Sequence, residues 1–331
     1  MICNKTTVRM GRLQRLPSPD LHYPLPMPTL DLPPWFLSLL LAPFGLVLGS
    51  FGNVLIHRLP LETAAERNVV TKPSHCPQCN APIRWFHNVP LFSWLALRGK
   101  CASCGCRIPF RYFLVELLAG LLLAASVWVF PFGTLIWLKG VICGYALIVL
   151  FFTDFTEFML PDVLQFPLMA LGLIFTVPQL LWPEAMTKVM ASGWDVLSVD
   201  TFTNGLQLAP GWIPLGQTPV TWKESLIGLV AGYGLPWLVN ALYKLIRKTD
   251  GLGMGDFKML AWLGAFWGWG AMLGILFGAS FLAVAFALPL LISGRAKGQT
   301  MLPLGCFLAL ATFPIVFYGP VLWAGYLGMM N

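Results

Sequence analysis

Two aspartates, Asp154 and Asp256, lie at the ends of apolar stretches in a chain that otherwise keeps charge out of such stretches. Asp154 follows the run VLFFT, and Asp256 closes the glycine-rich sequence GLGMGD. An ionisable side chain at membrane depth is costly and indicates function. Two carboxylates that share a proton are the catalytic groups that an aspartic protease requires. The pair therefore predicts peptide-bond cleavage at a membrane surface.

The neighbours of each aspartate bear on this prediction. Gly253 and Gly255 remove side-chain bulk beside Asp256, so an extended substrate strand can approach the carboxylate, although a flexible loop with a solvated aspartate is the structural alternative. Asp162 competes with Asp154 for the second catalytic position. However, Pro161 permits a helix to begin there, and a negative charge in its first turn suits the helix dipole. Asp154 has no comparable structural explanation, which makes it the preferred candidate.

The cysteines form a second constellation. The motifs Cys76-Pro-Gln-Cys79 and Cys101-Ala-Ser-Cys104 can each direct two thiolates at one point, and together they predict a tetrahedral four-cysteine zinc site. Cys106 is an alternative fourth ligand. Disulfides are the competing interpretation, but the charge pattern described below places this segment where thiols stay reduced. Zinc would stabilise a segment too small to support a hydrophobic core of its own.

Asn53 is a weaker candidate for a binding residue. It ends the sequence Gly49-Ser50-Phe51-Gly52-Asn53 at the close of the first long apolar run. Close helix packing explains the glycines, whereas the amide of Asn53 is also suited to hydrogen-bond a substrate backbone.

The composition is that of a protein with many membrane spans. Of the 331 residues, 57% are hydrophobic and 11% charged, and the mean hydropathy is +0.73, whereas a soluble domain carries about 25% charged residues. We therefore predict an all-α polytopic membrane protein with about eight transmembrane helices of roughly 20 residues each. The predicted spans are 35–56, 112–131, 134–153, 161–182, 225–246, 258–270, 271–293 and 301–327.

Basic residues are concentrated between the first and second predicted spans. Segment 57–111 carries eight Lys and Arg residues against Glu62 and Glu66, and such an excess beside a span marks the cytoplasmic side. With alternating spans, Asp154 and Asp256 both reach this face, and loop 183–224 is external. This uneven distribution of the net charge of +7 indicates membrane topology, and we expect no nucleic-acid partner.

These patterns divide the chain into four parts. Residues 1–34 are an N-terminal extension that lacks the apolar core of a signal peptide. Residues 35–56 form the first transmembrane helix, and residues 57–111 form the cytoplasmic zinc-binding domain. Residues 112–327 form the transmembrane core, which includes the external loop.

Several segments together resemble a known family. They are GSFGNVLIHRLP at 49–60, the paired CxxC motifs, RYFLVELLAG at 111–120, DFTEFMLPD at 154–162 and GMGDFKMLAWLGAFWGW at 253–269. In this order they are similar to bacterial type IV prepilin peptidases. The resemblance covers about residues 49–310. A departure lies near the C-terminus, where Leu302-Pro303-Leu304-Gly305-Cys306 replaces the PFGP-like motif that is usual in the family.

The resemblance implies an activity and a location. It implies that Asp154 and Asp256 are the catalytic aspartates of an endopeptidase in the bacterial inner membrane. The implied substrates are prepilins and the pseudopilins of type II secretion, which lose a basic leader at the cytoplasmic face. The family then methylates the new N-terminus with S-adenosylmethionine, and the lipid bilayer is the other implied partner.

Two other functions are compatible with acids near apolar segments. A presenilin-like intramembrane protease also pairs aspartates and uses a GxGD motif, but that class lacks the CxxC motifs. An ion- or proton-coupled transporter would use the acids to relay protons, and it would have no need of a zinc domain.

Overall fold

The computed structural model describes residues 32–61, 63, 66–69, 73–130, 132–181, 220–249, 251–293 and 303–316. Within these residues all regular structure is helical, and the only β-type pairing is two isolated bridges in the cysteine segment. The predicted N-terminal extension and external loop lie almost entirely outside the described residues. The description below concerns the unit Pro34–Asn331.

Nine α-helices follow one another in the described chain. Their bounds are α1 Pro34–Arg58, α2 Phe92–Ala96, α3 Phe110–Val129, α4 Leu135–Glu157, α5 Asp162–Ile174, α6 Val177–Leu181, α7 Trp222–Arg247, α8 Met254–Ile292 and α9 Leu304–Val316. A 3-10 turn at Trp85–Asn88 precedes α2. Five of the helices, namely α1, α3, α4, α7 and α8, are long and apolar enough to cross a membrane. The all-helical polytopic class predicted from the sequence is confirmed.

Seven of the predicted spans correspond to these helices with two differences. The eighth, 301–327, is described only over 303–316, where it contains α9. The span 161–182 is divided into α5 and α6. The two spans 258–270 and 271–293 are joined in α8, which has 39 residues and a single non-helical residue, Gly268, with φ 81°. At about 1.5 Å per residue an unbroken helix of this length would reach nearly twice the hydrocarbon thickness. Gly268 therefore interrupts the helix two residues before the end of the predicted span 258–270.

Two pairs of helices approach closely through glycines spaced four residues apart. Gly45 and Gly49 of α1 face α3, and a Cβ at Gly45 would collide with the carbonyl oxygen of Ala119. Gly228 and Gly232 of α7 likewise face α8. At Gly228 the backbones of the two helices touch, against Gly264. Small residues at this spacing let helices pack backbone to backbone in a membrane.

The core of the molecule surrounds the first half of α8. The residues from Phe257 to Gly268 are nearly all buried, and Trp262 and Phe266 are among the largest of the fully buried side chains. Residues of α4, α5 and α9 pack around them in one cluster. Asp256 lies at the beginning of this central segment, so its position is fixed by the best-packed part of the described structure.

Candidate active site

Asp154 lies in the last turn of α4 and is 5% exposed. The helix ends at Glu157, and the next residue, Phe158, adopts a left-handed conformation and donates its N–H to the Asp154 carbonyl. The carboxylate Oδ2 accepts a hydrogen bond of 3.0 Å from the backbone N–H of Cys306, in the first turn of α9. The first N–H groups of a helix have no partner within that helix and carry partial positive charge. Asp154 is thus held by the N-terminus of another helix.

Asp256 lies in the first turn of α8, three residues after the N-cap residue Gly253. Its carboxylate turns back to the Gly253 backbone, and a Cβ at Gly253 would lie 3.2 Å from its Oδ2. A side chain at Gly253 would therefore crowd this carboxylate. The glycine makes room for the Asp256 side chain itself, besides the room predicted for a substrate strand.

Leu160, which follows α4, lies against both α8 and α9. A Cβ at Gly255, next to Asp256, would lie 2.9 Å from Leu160 Cβ, and a Cβ at Gly305 would lie 3.0 Å from Leu160 Cδ1. The two carboxylates are near enough for their charges to interact. The structure therefore brings together two acids that are separated by about one hundred residues of chain.

The competing acid, Asp162, has a different position. It is the first residue of α5 after the N-cap residue Pro161, as the sequence indicated. Its side chain is 53% exposed and forms an ion pair with Lys258 of α8 at 2.6 Å. Asp162 thus has a structural role in linking α5 to α8.

The sequence did not reveal what holds Asp154. Its partner is the Gly305–Cys306 backbone, 152 positions away in the chain. In the sequence, this segment is recognisable only as a departure from the PFGP-like motif of the family. Only the fold shows that the start of α9 faces the α4 carboxylate.

The cysteine segment contains two turns with the same backbone hydrogen bonds. In the first, Cys76 N–H bonds the carbonyl of Ala81, and Asn80 N–H bonds the carbonyl of Cys76. In the second, Cys101 N–H bonds the carbonyl of Cys106, and Gly105 N–H bonds the carbonyl of Cys101. This repetition pairs Cys76 with Cys101 and Cys79 with Cys104, whereas Cys106 occupies the position of Ala81.

The thiols of the two turns meet. The sulfurs of Cys76, Cys101, Cys104 and Cys106 all lie within 4.8 Å of one another. Three of the predicted ligands belong to this group, and the fourth member is the alternative ligand Cys106. Cys79 is exposed, with its thiol in hydrogen-bonding reach of Cys76 and Cys104. Four thiols at these separations could hold a metal ion.

Backbone groups favour the thiolate form that binds metals. The backbone N–H groups of Cys79 and Gln78 lower the pKa of the Cys76 thiol to about 6. The backbone N–H of Cys106 likewise lowers the pKa of Cys104. Thiolates are the metal-binding form of cysteine, so the turns prepare at least two of the ligands.

Asn53 belongs to α1, and its side chain contacts α3. It is 3% exposed, and its Nδ2 donates a hydrogen bond of 2.9 Å to the carbonyl of Tyr112. It also lies in hydrogen-bonding reach of Glu116. The sequence named Asn53 as a weak binding candidate, and the structure surrounds it with polar groups.

Comparison with known proteins gives a consistent result. The family described as bacterial peptidase A24 N-terminal domain matches residues 44–130, and the type IV leader peptidase family matches residues 141–288. These ranges contain all the clustered cysteines and both aspartates.

Similar proteins extend over most of the chain. A prepilin leader peptidase/N-methyltransferase of Aeromonas salmonicida is 32% identical over 317 residues, which is 89% of this chain and 95% of that protein. Proteins with the same description in Neisseria gonorrhoeae and Pseudomonas aeruginosa are 34% and 32% identical, over 78% and 86% of this chain and 83% and 91% of their own. No solved structure matches the chain. The chain belongs to the type IV leader peptidase family.

Proposed function

We propose that this protein is a membrane aspartic endopeptidase that cleaves the leader from type IV prepilins and type II secretion pseudopilins, then methylates the new N-terminus. The observation that supports the peptidase assignment is that Asp154 and Asp256 lie at neighbouring helix ends, near enough for their charges to interact. The named relatives, which are leader peptidases and N-methyltransferases, support both activities.

The two carboxylates have different roles in hydrolysis. One is ionised and takes a proton from water as the water oxygen attacks the scissile carbonyl. The other is protonated and donates its proton to the carbonyl oxygen. As the tetrahedral intermediate collapses, the leaving amine takes up a proton and the carboxylates return to their shared state. Two neighbouring carboxylates suit these unequal roles, because both cannot carry charge cheaply.

The surroundings of the pair suit a peptide substrate. Asp154 is buried and hydrogen-bonded by Cys306, so its orientation is fixed, while Asp256 is only partly buried. Gly253 is exposed beside Asp256. An extended substrate backbone can therefore approach Asp256 from the Gly253 side, which is the role proposed for this glycine.

Zinc and S-adenosylmethionine are the proposed cofactors. Zinc would be held by Cys76, Cys101 and Cys104, with Cys79 or Cys106 as the fourth ligand, and it would stabilise the two turns. The proposed methyl donor follows from the N-methyltransferase description of the relatives. We place the protein in the bacterial inner membrane with the aspartates at the cytoplasmic face, where the basic segment 57–111 also lies.

Substitution of the aspartates tests the peptidase assignment. We expect Asp154→Asn and Asp256→Asn each to reduce prepilin cleavage in detergent by about 10³-fold or more, because each change removes one of two groups that act as a unit. Asp162→Asn is the matched control, since it alters a neighbouring acid and is expected to cleave normally. Full cleavage by either of the first two variants would remove the aspartic-protease assignment.

A further inference from the structure

A cavity of about 480 Å³ lies between the cysteine turns and the cytoplasmic ends of α1 and α3. Its volume falls within the range of about 300–1,000 Å³ that is usual for small-molecule sites. Two of the segments that carry the family resemblance, 49–60 and 111–120, contribute to its wall. The aspartate pair draws on neither segment, so the peptidase mechanism leaves them without a role.

The wall of the cavity contains a buried acceptor that lacks a donor. Asn53 is 3% exposed, and its amide nitrogen is engaged by the carbonyl of Tyr112. Its Oδ1 is buried and has no hydrogen-bond partner among the described residues. Leaving such a group unpaired is unfavourable, so the amide oxygen is suited to a donor from outside the chain.

The same wall contains a buried donor that lacks an acceptor. Arg111 donates from Nη1 to Thr156 Oγ1 at 3.2 Å, and its guanidinium lies 5.4 Å from the centre of the Tyr112 ring. Its Nε is buried and has no partner in the part of the chain that the structure describes. An arginine whose nitrogen is free in this way is suited to bind a carboxylate.

A carboxylate completes the arrangement. Glu116 Oε2 accepts a hydrogen bond of 2.8 Å from the Leu91 N–H, and the side chains of Ser50 and Asn53 are within hydrogen-bonding reach. The cavity therefore presents a carboxylate and an amide oxygen near one another, together with a guanidinium. These groups complement the ammonium and the carboxylate of an α-amino acid.

We propose that this cavity binds S-adenosylmethionine through its amino-acid end, with the ammonium on Glu116 and Asn53 Oδ1 and the carboxylate on Arg111. The proposal rests on the proposed function, which requires a methyl donor but does not say where it binds. A cavity of this volume holds the adenosine as well as the amino acid.

The position of the cavity suits a second reaction on the product of the first. Arg111 contacts Thr156, which lies two residues beyond Asp154 on α4.

In the transfer, the lone pair of the neutral amine attacks the methyl carbon and a nitrogen–carbon bond forms. The sulfur–carbon electron pair stays on sulfur, giving S-adenosylhomocysteine, and the amine releases a proton to water.

Binding of labelled S-adenosylmethionine to the full-length, zinc-loaded protein in detergent tests the site. We expect Glu116→Gln and Arg111→Lys each to raise the dissociation constant about 10–100-fold, since each removes a charge-assisted contact. Arg84→Lys, at an exposed position outside the cavity, is the matched control and should bind as the wild type does. Prepilin cleavage by the same preparations reports whether the membrane core is folded.

Competition identifies which part of the ligand the site recognises. S-adenosylhomocysteine should displace the label, and L-methionine should compete weakly with wild type and still less with Arg111→Lys. A photoreactive azido derivative of the donor should label wild-type peptides from 49–58 and 85–116, which does not depend on how any variant folds. Unchanged affinity in both variants, or labelling confined to other peptides, would overturn the proposed site. Absence of both binding and methyl transfer in the wild type would instead remove the methyltransferase half of the proposed function.

Discussion

At the scale of single residues, the reactive carboxylate of Asp154 depends on a glycine in a distant helix. A Cβ at Gly305 would lie 2.8 Å from Asp154 Oδ2, which is closer than side-chain carbons approach other atoms. The atom displaced would be the end of a carboxylate rather than backbone. The glycine therefore affects the orientation of the acid more than the packing of the helix.

This dependence predicts the effect of Gly305→Ala. We expect the added methyl group to shift the Asp154 carboxylate and to lower kcat/KM for prepilin cleavage about 10–100-fold, since small misplacements of a reacting group are that costly. Initial rates of leader removal, measured beside thermal unfolding, check the expectation.

The matched control is Gly234→Ala, because a Cβ at that position meets no atom within 4 Å. It should cleave at the wild-type rate. Equal activity of the Gly305 and Gly234 variants would show that the orientation of Asp154 does not depend on Gly305.

The acids themselves could be predicted from the sequence, but their surroundings could not. A carboxyl group that ends an apolar run can be recognised from the sequence alone, and so can the alternative role of Asp162 at a helix start. The hydrogen bond from Cys306 joins residues 152 positions apart. Such a contact is set by how α4 and α9 pack, which no local pattern encodes.

At the scale of helices, contact between α7 and α8 requires the absence of side chains. Gly228 and Gly264 touch through their backbones, and a Cβ at Gly232 would collide with the Leu260 carbonyl. In a membrane, association depends on such close packing, because lipid tails are as apolar as the helices.

We therefore expect Gly228→Leu to separate α7 from α8 and to lower the thermal unfolding temperature. Overpacking of this kind costs about 1–3 kcal/mol. Gly234→Leu places the same side chain on α7 where the structure leaves open space, so its unfolding temperature should remain near that of the wild type. Similar melting of the two variants in detergent would contradict close packing at Gly228.

The two cysteine turns make a separate prediction about the fourth zinc ligand. Backbone repetition favours Cys79, whereas the grouping of the sulfurs favours Cys106. With five thiols available for four positions, we expect Cys79→Ser and Cys106→Ser each to retain zinc, because the remaining cysteine replaces the missing one. The double variant should lose it, because only three of the clustered thiols remain.

Zinc content of the purified proteins, measured by elemental analysis, separates these cases. Loss of zinc in Cys106→Ser alone would assign the fourth position to that residue without substitution by Cys79. Wild-type protein without zinc would remove the metal from the proposal.

At the scale of the whole molecule, the sequence predicts topology from charge alone. Segment 57–111, Asp154 and Asp256 should all face the cytoplasm, and loop 183–224 should be external. Reporter enzymes active only outside the cytoplasm test this arrangement. Fusions after residue 80 or residue 249 should be inactive, whereas a fusion after residue 200 should be active. The reverse pattern would place the aspartates on the outer face and contradict the proposed site of leader removal.

Apolar runs located most of the membrane helices, because a span needs a certain number of apolar residues wherever it lies in the fold. They could not show that the sixth and seventh runs form one interrupted helix. The left-handed conformation of Gly268 identifies the break, yet many glycines in the chain lie in ordinary helix. Distinguishing them requires knowledge of the neighbours of each glycine.

The two halves of α8 have different surroundings, and this should leave a record in evolution. Up to Trp267 nearly every residue of the helix is enclosed. In the second half one face, which includes Met272 and Ile275, is buried, whereas Phe277 and Phe281 are exposed. Any apolar side chain serves a surface that meets only lipid, but few shapes fit an enclosed one. Among descendants of a common ancestor, the exposed positions of the second half should therefore change freely among apolar residues, while the enclosed first half changes slowly. One helix would then record two rates of sequence change, with the transition near Gly268.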